Sequence, residues 1–360
     1  MAFNPNRLAL ARRRRAFTKK FLANATGIPT RTYRAYESGE NVPPDDKLET
    51  LAKCLNFPVA FFLNEKDPVE IDTGGASFRA LRSMTARQRD AVLAAGSLAV
   101  ELDDFLGSRL SLPETNVPDF RDAHPEQAAR ALREYWGLGE RPVANMIHLL
   151  ESNGVRVFSL DRAHSTVDAF TITYLQRRHI FLNTLKTGER GRFDAAHELG
   201  HLVLHQHGVP RGRHLESDAN AFASAFLMPS SKIVAIVPRA PTVHRLTELK
   251  KPWGVSVGAL ARRMFDLQVM SEWYYRQIFI ELSKRGRANE PEPMPRETSS
   301  LLLQAFALLR ERGMQTSRVA KELRITMAEL NGLVFGLTPV ALVGNPRLGN
   351  SRSRAKLRAL

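Results

Sequence analysis

The chain of 360 residues contains one cysteine, Cys54, which excludes a disulfide framework and any cysteine-rich zinc module. No stretch approaches about 18 consecutive apolar residues, so no membrane-crossing helix and no membrane partner are predicted. The first residues are charged from Arg7 onward and lack an apolar run, so no secretory signal is expected and the predicted setting is cytoplasmic. No internal repeat of fixed period is present. Acid is scarce beside base: 37 Asp and Glu against 52 Lys and Arg leave a net charge of +15. A surplus of that size favours an anionic partner, with nucleic acid first. Hydrophobic residues make up 43% of the chain, too many for wholesale disorder, and the length predicts two to three domains.

The base is concentrated at the two ends. Residues 1–58 hold 11 Lys and Arg against 5 Asp and Glu, and the last 20 residues hold 5 and none. Residues 1–64 read as short helices: Thr18 caps one that Gly27 stops, Pro29-Thr30 opens the next, and Pro43-Pro44-Asp45 starts a third. Residues 64–76 read as a linker. Thr85 opens a long helix with Val92, Ala95, Leu98, Ala99, Leu102, Phe105 and Leu106 on one face, a stripe that packs or dimerises. Helices follow at 126–136 and 142–152. The period then changes, and the β-rich runs 155–158, 169–174 and 179–182 predict a small meander. Helices are expected again at 187–205, 216–228, 230–237, 256–268 and 271–285. The proline-rich stretch 289–296 reads as a second linker, 297–336 as helical with a turn, and the Gly/Ser/Arg-rich end from Pro339 as disordered.

His197-Glu198-Leu199-Gly200-His201 is the sharpest signal. Residues i and i+4 share one face of a helix, so two imidazoles so spaced can reach one tetrahedral Zn²⁺. Glu198, beside the first of them, can take a proton from water and pass it to a leaving amine. A third ligand is required, and Glu216-Ser-Asp-Ala-Asn220 supplies candidates. Glu216 can serve, Asp218 competes, and Asn220 can orient a histidine from behind. His205, His207 and His214 are nearby as supporting or surface groups.

The run Arg192-Phe-Asp-Ala-Ala-His-Glu-Leu-Gly-His-Leu-Val-Leu-His205, then Glu216-Ser-Asp-Ala-Asn-Ala-Phe-Ala223 and Phe226-Leu-Met-Pro229, resembles the ImmA/IrrE metallopeptidase family. The resemblance covers roughly residues 125–285, with Phe226 where Leu is usual and Asp218 where Glu is common. It implies a compact, mostly helical domain with a small sheet, a zinc site on His197, His201 and Glu216 with Glu198 catalytic, and cleavage of a regulatory protein such as a repressor or antitoxin.

Residues 5–63 resemble the Cro/C1-type (Xre-family) helix-turn-helix domain through Phe17-Thr18, Leu22-Ala23, Gly27-Ile28, Tyr36-Glu37-Ser38-Gly39 and Leu48-x-x-Leu51-Ala52. Gly27 would make the turn, and the second helix would enter the major groove of an operator duplex. Thr30, Thr32, Arg31 and Arg34 are then candidate DNA contacts, the two arginines and Thr30 at base edges, with Lys19 on a phosphate. Arg12-Arg13-Arg14-Arg15 would add affinity without specificity. Val319-Ala-Lys-Glu-Leu323, Ile325, Leu330 and Leu333 outline either a second helix-turn-helix or a hairpin capping the preceding domain.

The expected fold is mainly α with a small sheet (α+β): a helix-turn-helix domain at 1–66, a linker and long helix at 67–124, a zincin-like peptidase domain at 125–288, a helical region at 289–338 and a basic tail at 339–360. The expected function is a DNA-binding regulator that cleaves a repressor or antitoxin with Zn²⁺. The alternative is a regulator whose peptidase-like domain senses or oligomerises. A homodimer is compatible with both.

Overall fold

The computed structural model describes residues 2–71, 84–121, 123–160, 168–205, 213–286, 289–334 and 358–359. Five helices come first: α1 Pro5–Arg14, α2 Lys19–Thr26, α3 Thr30–Ser38, α4 Asp45–Leu55 and α5 Val59–Phe62. The long helix α6 spans Ala86–Gly107 and is followed by β1, Leu110–Ser111. Then come α7 Pro125–Tyr135, α8 Met146–Ser152, β2 Val155–Leu160, β3 Ala169–Tyr174 and β4 Arg177–Asn183. The remaining helices are α9 Gly188–Leu204, α10 Arg213–Leu227, α11 Ser230–Ala235, α12 Val243–Lys250, α13 Val257–Asp266, α14 Glu272–Arg285, α15 Ser300–Glu311, α16 Thr316–Glu322 and α17 Met327–Leu333. A short β5, Arg358–Ala359, pairs antiparallel with β1. The fold is α+β; among the described residues the strands form one three-stranded sheet and that two-residue pair, and the other regular elements are helices. Helix α12 is an element the sequence pattern missed.

Local chemistry sets the helix starts. Thr18 Oγ accepts from Phe21 N, Thr85 and Gln88 form a reciprocal capping box, and Thr187 caps α9 through Arg190 N. The sheet is not the expected meander. Its order is β2–β4–β3, with β2 parallel and β3 antiparallel to β4. Strand β4 takes the centre because it is apolar on both faces, with Ile180 and Leu182 on one and Phe181 on the other.

Each face of the sheet belongs to a different core. Val155, Val157, Ile180 and Leu182 pack with α7–α14. Phe158, Phe170, Phe181 and Ile172 pack with α1–α6 and α15–α17. On that second face Phe158, Phe181 and Phe170 lie in register across the three strands, and Phe170 and Phe181 stack with centroids 4.4 Å apart. Beside them is a buried charge cluster. Asp103 of α6 receives Arg156 Nε at 2.8 Å, Arg177 at 2.7 Å and His179 Nε2 at 3.1 Å. Burial alone would raise the Asp103 carboxyl; the His179 hydrogen bond and the two guanidinium charges overcome it and hold it at about 2. The apolar stripe of α6 is buried inside the chain against α1 and the sheet.

The helix-turn-helix end is tied into this second core. Arg7 of α1 pairs with Glu101 of α6 at 2.9 Å. Arg14 and Arg15 share Glu329 of α17, and Arg15 also covers the Phe57 ring. Arg324 donates to the Leu63 carbonyl at 2.9 Å.

Residues 289–297 are a strap rather than a free linker. Met294 N donates to Glu189, Glu290 pairs with Lys250 at 3.0 Å, Arg296 donates to the Lys186 carbonyl, and Glu297 pairs with Arg192 of α9. A Cβ on Gly188 would meet the Met294 and Pro295 carbonyls at 2.7 Å, so the strap needs glycine there. Two carboxylates cap helices reciprocally across the junction of the two cores. Glu297, just before α15, accepts from Met146 N and Ile147 N at the start of α8; Glu151, in α8, accepts from Ser300 N and Leu301 N at the start of α15. Residues 72–76 of the first linker reading, 335–338 at the end of the expected helical region, and 339–357 and 360 of the tail reading lie outside the described residues.

Candidate metal centre and nucleic-acid interface

Helices α9 and α10 pack along each other, which sets His197 and His201 of one against Glu216 of the other. The two Nε2 atoms are 3.1 Å apart, and they lie 3.3 and 3.5 Å from the Glu216 oxygens. A tetrahedron with arms of about 2.0–2.1 Å has edges of about 3.3 Å, so each imidazole nitrogen is near that spacing from its neighbour and from one Glu216 oxygen, close enough for the three side chains to share one metal ion. Two imidazoles and a carboxylate are also a zinc donor set. The outer ring nitrogens are engaged: His197 Nδ1 lies 3.1 Å from Asn220 Oδ1, and His201 Nδ1 lies 2.9 Å from His205 Nδ1. Contacts at Nδ1 orient both rings with their Nε2 atoms toward the centre.

The electrostatics fit a cation. Burial would raise the Glu216 carboxyl, but hydrogen bonds to His197 and His201 win and hold it far below the usual carboxylate range. Burial would lower His197, yet Glu216 together with the charges of Glu198 and Asp194 leaves it raised. The site is a concentration of negative potential that stabilises positive charge at its centre.

Glu198 is buried, and Thr171 Oγ1 of the edge strand β3 donates to its Oε2 at 2.6 Å. A groove of about 920 Å³ starts at Asn220, beside His197, and runs along Phe193, Ala221, Arg262 and Phe279. The structure therefore brings together His197, His201, Glu216, Asn220 and Glu198. Asp218 is outside the three-residue group, His214 is exposed, and His207 lies outside the described residues. Sequence spacing missed Thr171. Its only signal was its place in an alternating strand, on the face turned to α9.

In the N-terminal unit, Gly27 has φ +66° and links α2 to α3, with Ile28 N donating back to the Ala23 carbonyl at 3.0 Å. Arg31 and Arg34 are exposed on α3, and Thr30 and Thr32 are half-buried. Lys19 is exposed, with Nζ 3.1 Å from Glu37. Glu37 also receives Arg12 Nε and Nη2, each at 2.8 Å, and Tyr33 Oη at 2.6 Å. Burial opposes its ionisation, but Arg12 and Tyr33 hold it at about 2. The Arg12–Arg15 run is not the free basic strip expected from sequence. Arg12 braces Glu37, Arg14 is buried on Glu329, Arg15 shares it, and only Arg13 is exposed.

The same turn recurs at α16–α17. Arg324 has φ +55°, and Ile325 N donates to the Ala320 carbonyl at 3.0 Å, matching Ile28 and Ala23. Here the second helix is covered: Glu329, Leu330 and Leu333 are buried, and Ala328 alone is exposed.

Comparison with protein families agrees with this layout. Residues 8–62 match the helix-turn-helix family, and residues 150–265 match the IrrE N-terminal-like domain, a peptidase family. The chain joins a helix-turn-helix to an IrrE-like peptidase domain. Among curated proteins no relative matches. The helix-turn-helix marks a DNA-binding regulator, and the whole metal group lies inside the IrrE-like match. No helix among the described residues is long and apolar enough to cross a membrane.

Proposed function

We propose that the chain is a transcriptional regulator that binds operator DNA through α2–α3 and cleaves a regulatory protein, a repressor or antitoxin, at a zinc site on His197, His201 and Glu216. The observation that carries the peptidase reading is the convergence of His197, His201 and Glu216 within metal-binding reach of one another beside a buried carboxylate. Zinc held there would act as a Lewis acid on the scissile carbonyl and acidify water. Glu198 takes the proton of the attacking water and delivers it to the leaving amine. Thr171 fixes the carboxylate, and Asn220 and His205 hold the imidazole rings. The groove from Asn220 to Phe279 receives the polypeptide. Residues 1–66 serve as the DNA-binding unit and 125–288 as the peptidase. Arg31 and Arg34 read bases with Thr30 and Thr32 beside them, and Lys19 exchanges Glu37 for a phosphate. The homodimer that a two-fold operator would require uses a face other than the covered stripe of α6.

A second reading has its own support. The DNA-binding unit packs on the back of the catalytic sheet, as suits a regulator in which metal occupancy rather than turnover carries the signal. Metal analysis tests the centre itself: about one zinc per wild-type chain, lost on chelation and in His201→Ala, because two remaining donors cannot hold it tightly. Freshly purified protein without metal would sink both readings.

A further inference from the structure

We propose that a second cavity, at the N-terminal end of α9 and apart from the metal group, binds a small aliphatic amino acid. The cavity has a volume of about 420 Å³ and is enclosed by β2, β4, the first turn of α9, the strap and α17. Small-molecule sites run from about 300 to 1,000 Å³. Its lining states what the ligand must offer. Asn331 Oδ1 is buried without a hydrogen-bond partner, and a buried acceptor left unmet calls for a donor. Glu297 also lines it, but its Oε1 is held by Arg192 and its Oε2 by Met146 N and Ile147 N, so the unmet acceptor of Asn331 is what receives the ligand's ammonium. Arg296 contributes a guanidinium that donates to the Lys186 and Leu185 carbonyls and has no carboxylate partner among the described residues. It is the seat for an anionic end. Ile147, Leu160 and Leu182 supply an apolar wall. An ammonium, a carboxylate and a branched hydrocarbon body together are an aliphatic α-amino acid.

The position gives such a ligand leverage. One wall is the helix that carries His197 and His201. Another is α17, whose Glu329 holds Arg14 and Arg15 of the DNA-binding unit. The ligand therefore touches both working halves of the chain at once, and a site that bridges two elements can shift the equilibrium between their arrangements.

Equilibrium dialysis of full-length protein with radiolabelled L-leucine tests this. Glu198→Gln protein is run beside wild type, so the result does not depend on proteolysis. About one leucine per chain is expected in both. Arg296→Ala, at an exposed position and with its unfolding midpoint measured beside wild type to separate loss of the strap ties from loss of the ligand contact, should weaken retention about tenfold or more, as the loss of a charge-assisted hydrogen bond does. Asn331→Leu, which removes the acceptor and fills the space, should do the same. N-acetyl-L-leucine lacks the ammonium and 3-methylbutylamine lacks the carboxylate, and each should compete about tenfold more weakly than leucine. Three outcomes would each overturn the proposal: no retention at millimolar leucine, retention unchanged in both variants, or equal competition by the truncated analogues.

Discussion

The two faces of the three-stranded sheet make opposite uses of polar chemistry. On the front, Thr171 holds Glu198 at 2.6 Å beside the three side chains of the metal group, and His197 stays partly accessible next to a groove. On the back, Arg156, Arg177 and His179 converge on Asp103. One face gathers donor atoms around a partly accessible point, and the other gathers three basic groups around one buried carboxylate. The difference explains how so small a sheet can back the proposed metal centre on one side and carry the helix-turn-helix unit on the other. A matched, buried cluster resists movement, whereas an unmatched one is where metal and substrate gain their binding energy.

Breaking the front alone should have the largest effect. Glu198→Gln keeps shape and hydrogen bonding but cannot accept a proton, so cleavage of the protein substrate should fall about 10²–10⁴-fold. Zinc content and DNA binding should be unchanged. If the variant regulates like wild type in cells with zinc bound, the sensing reading replaces the peptidase reading. Breaking the back is next. Asp103→Ala strands the buried Arg156 and should cost about 3–5 kcal/mol in urea unfolding. An unfolding midpoint equal to wild type would show that the cluster is not the brace described here.

The seam between the two cores should respond to pH. Burial lifts the Glu151 carboxyl from 4.5 to about 7 against hydrogen bonds from Ser299, Leu301 and Ser300. The folded form therefore holds this proton more tightly than the unfolded form does. The resulting stabilisation is complete below pH 4.5 and disappears as pH rises through about 7. Its size is about 3 kcal/mol. Unfolding midpoints measured across this window should fall for wild type and flatten for Glu151→Gln. Parallel curves would count against the assignment.

The smallest effects concern DNA. Arg31→Ala or Arg34→Ala should cost about 1–3 kcal/mol on the operator and relax sequence preference, read by competition with scrambled duplex. Arg13→Ala should flatten the salt slope by about one phosphate contact, while Arg14→Ala should leave the slope alone and lower stability instead. Equal slopes for the two variants would contradict the burial of Arg14.

What could be read from sequence follows the distance between partners. His197, Glu198 and His201 sit within one helical turn, and Gly27 with Ile28 form one local turn, so periodicity sufficed. Glu216 and Asn220 open an adjacent helix and were within reach of spacing. The back-face cluster was invisible, because Asp103 meets residues 53 to 76 positions away on strands whose order was misread. The strap was taken for a linker because its prolines exclude helix, and its ties to Glu189, Lys250 and Arg192 leave no local pattern. The Arg12–Arg15 run looked free because a charge run does not name its counterions.

The sharing of Glu329 by Arg14 and Arg15 has a consequence for biosynthesis. The partners are 314 and 315 residues apart, so the ribosome releases one long before the other. At about 5–20 residues per second, the arginines emerge roughly 15–60 s ahead of their carboxylate. During that interval the nascent DNA-binding unit keeps an extra positive edge in water, free to engage nucleic acid or a chaperone. Emergence of α17 closes that edge. A stop codon anywhere upstream of residue 329 would leave a truncated product fixed in the early, more basic state.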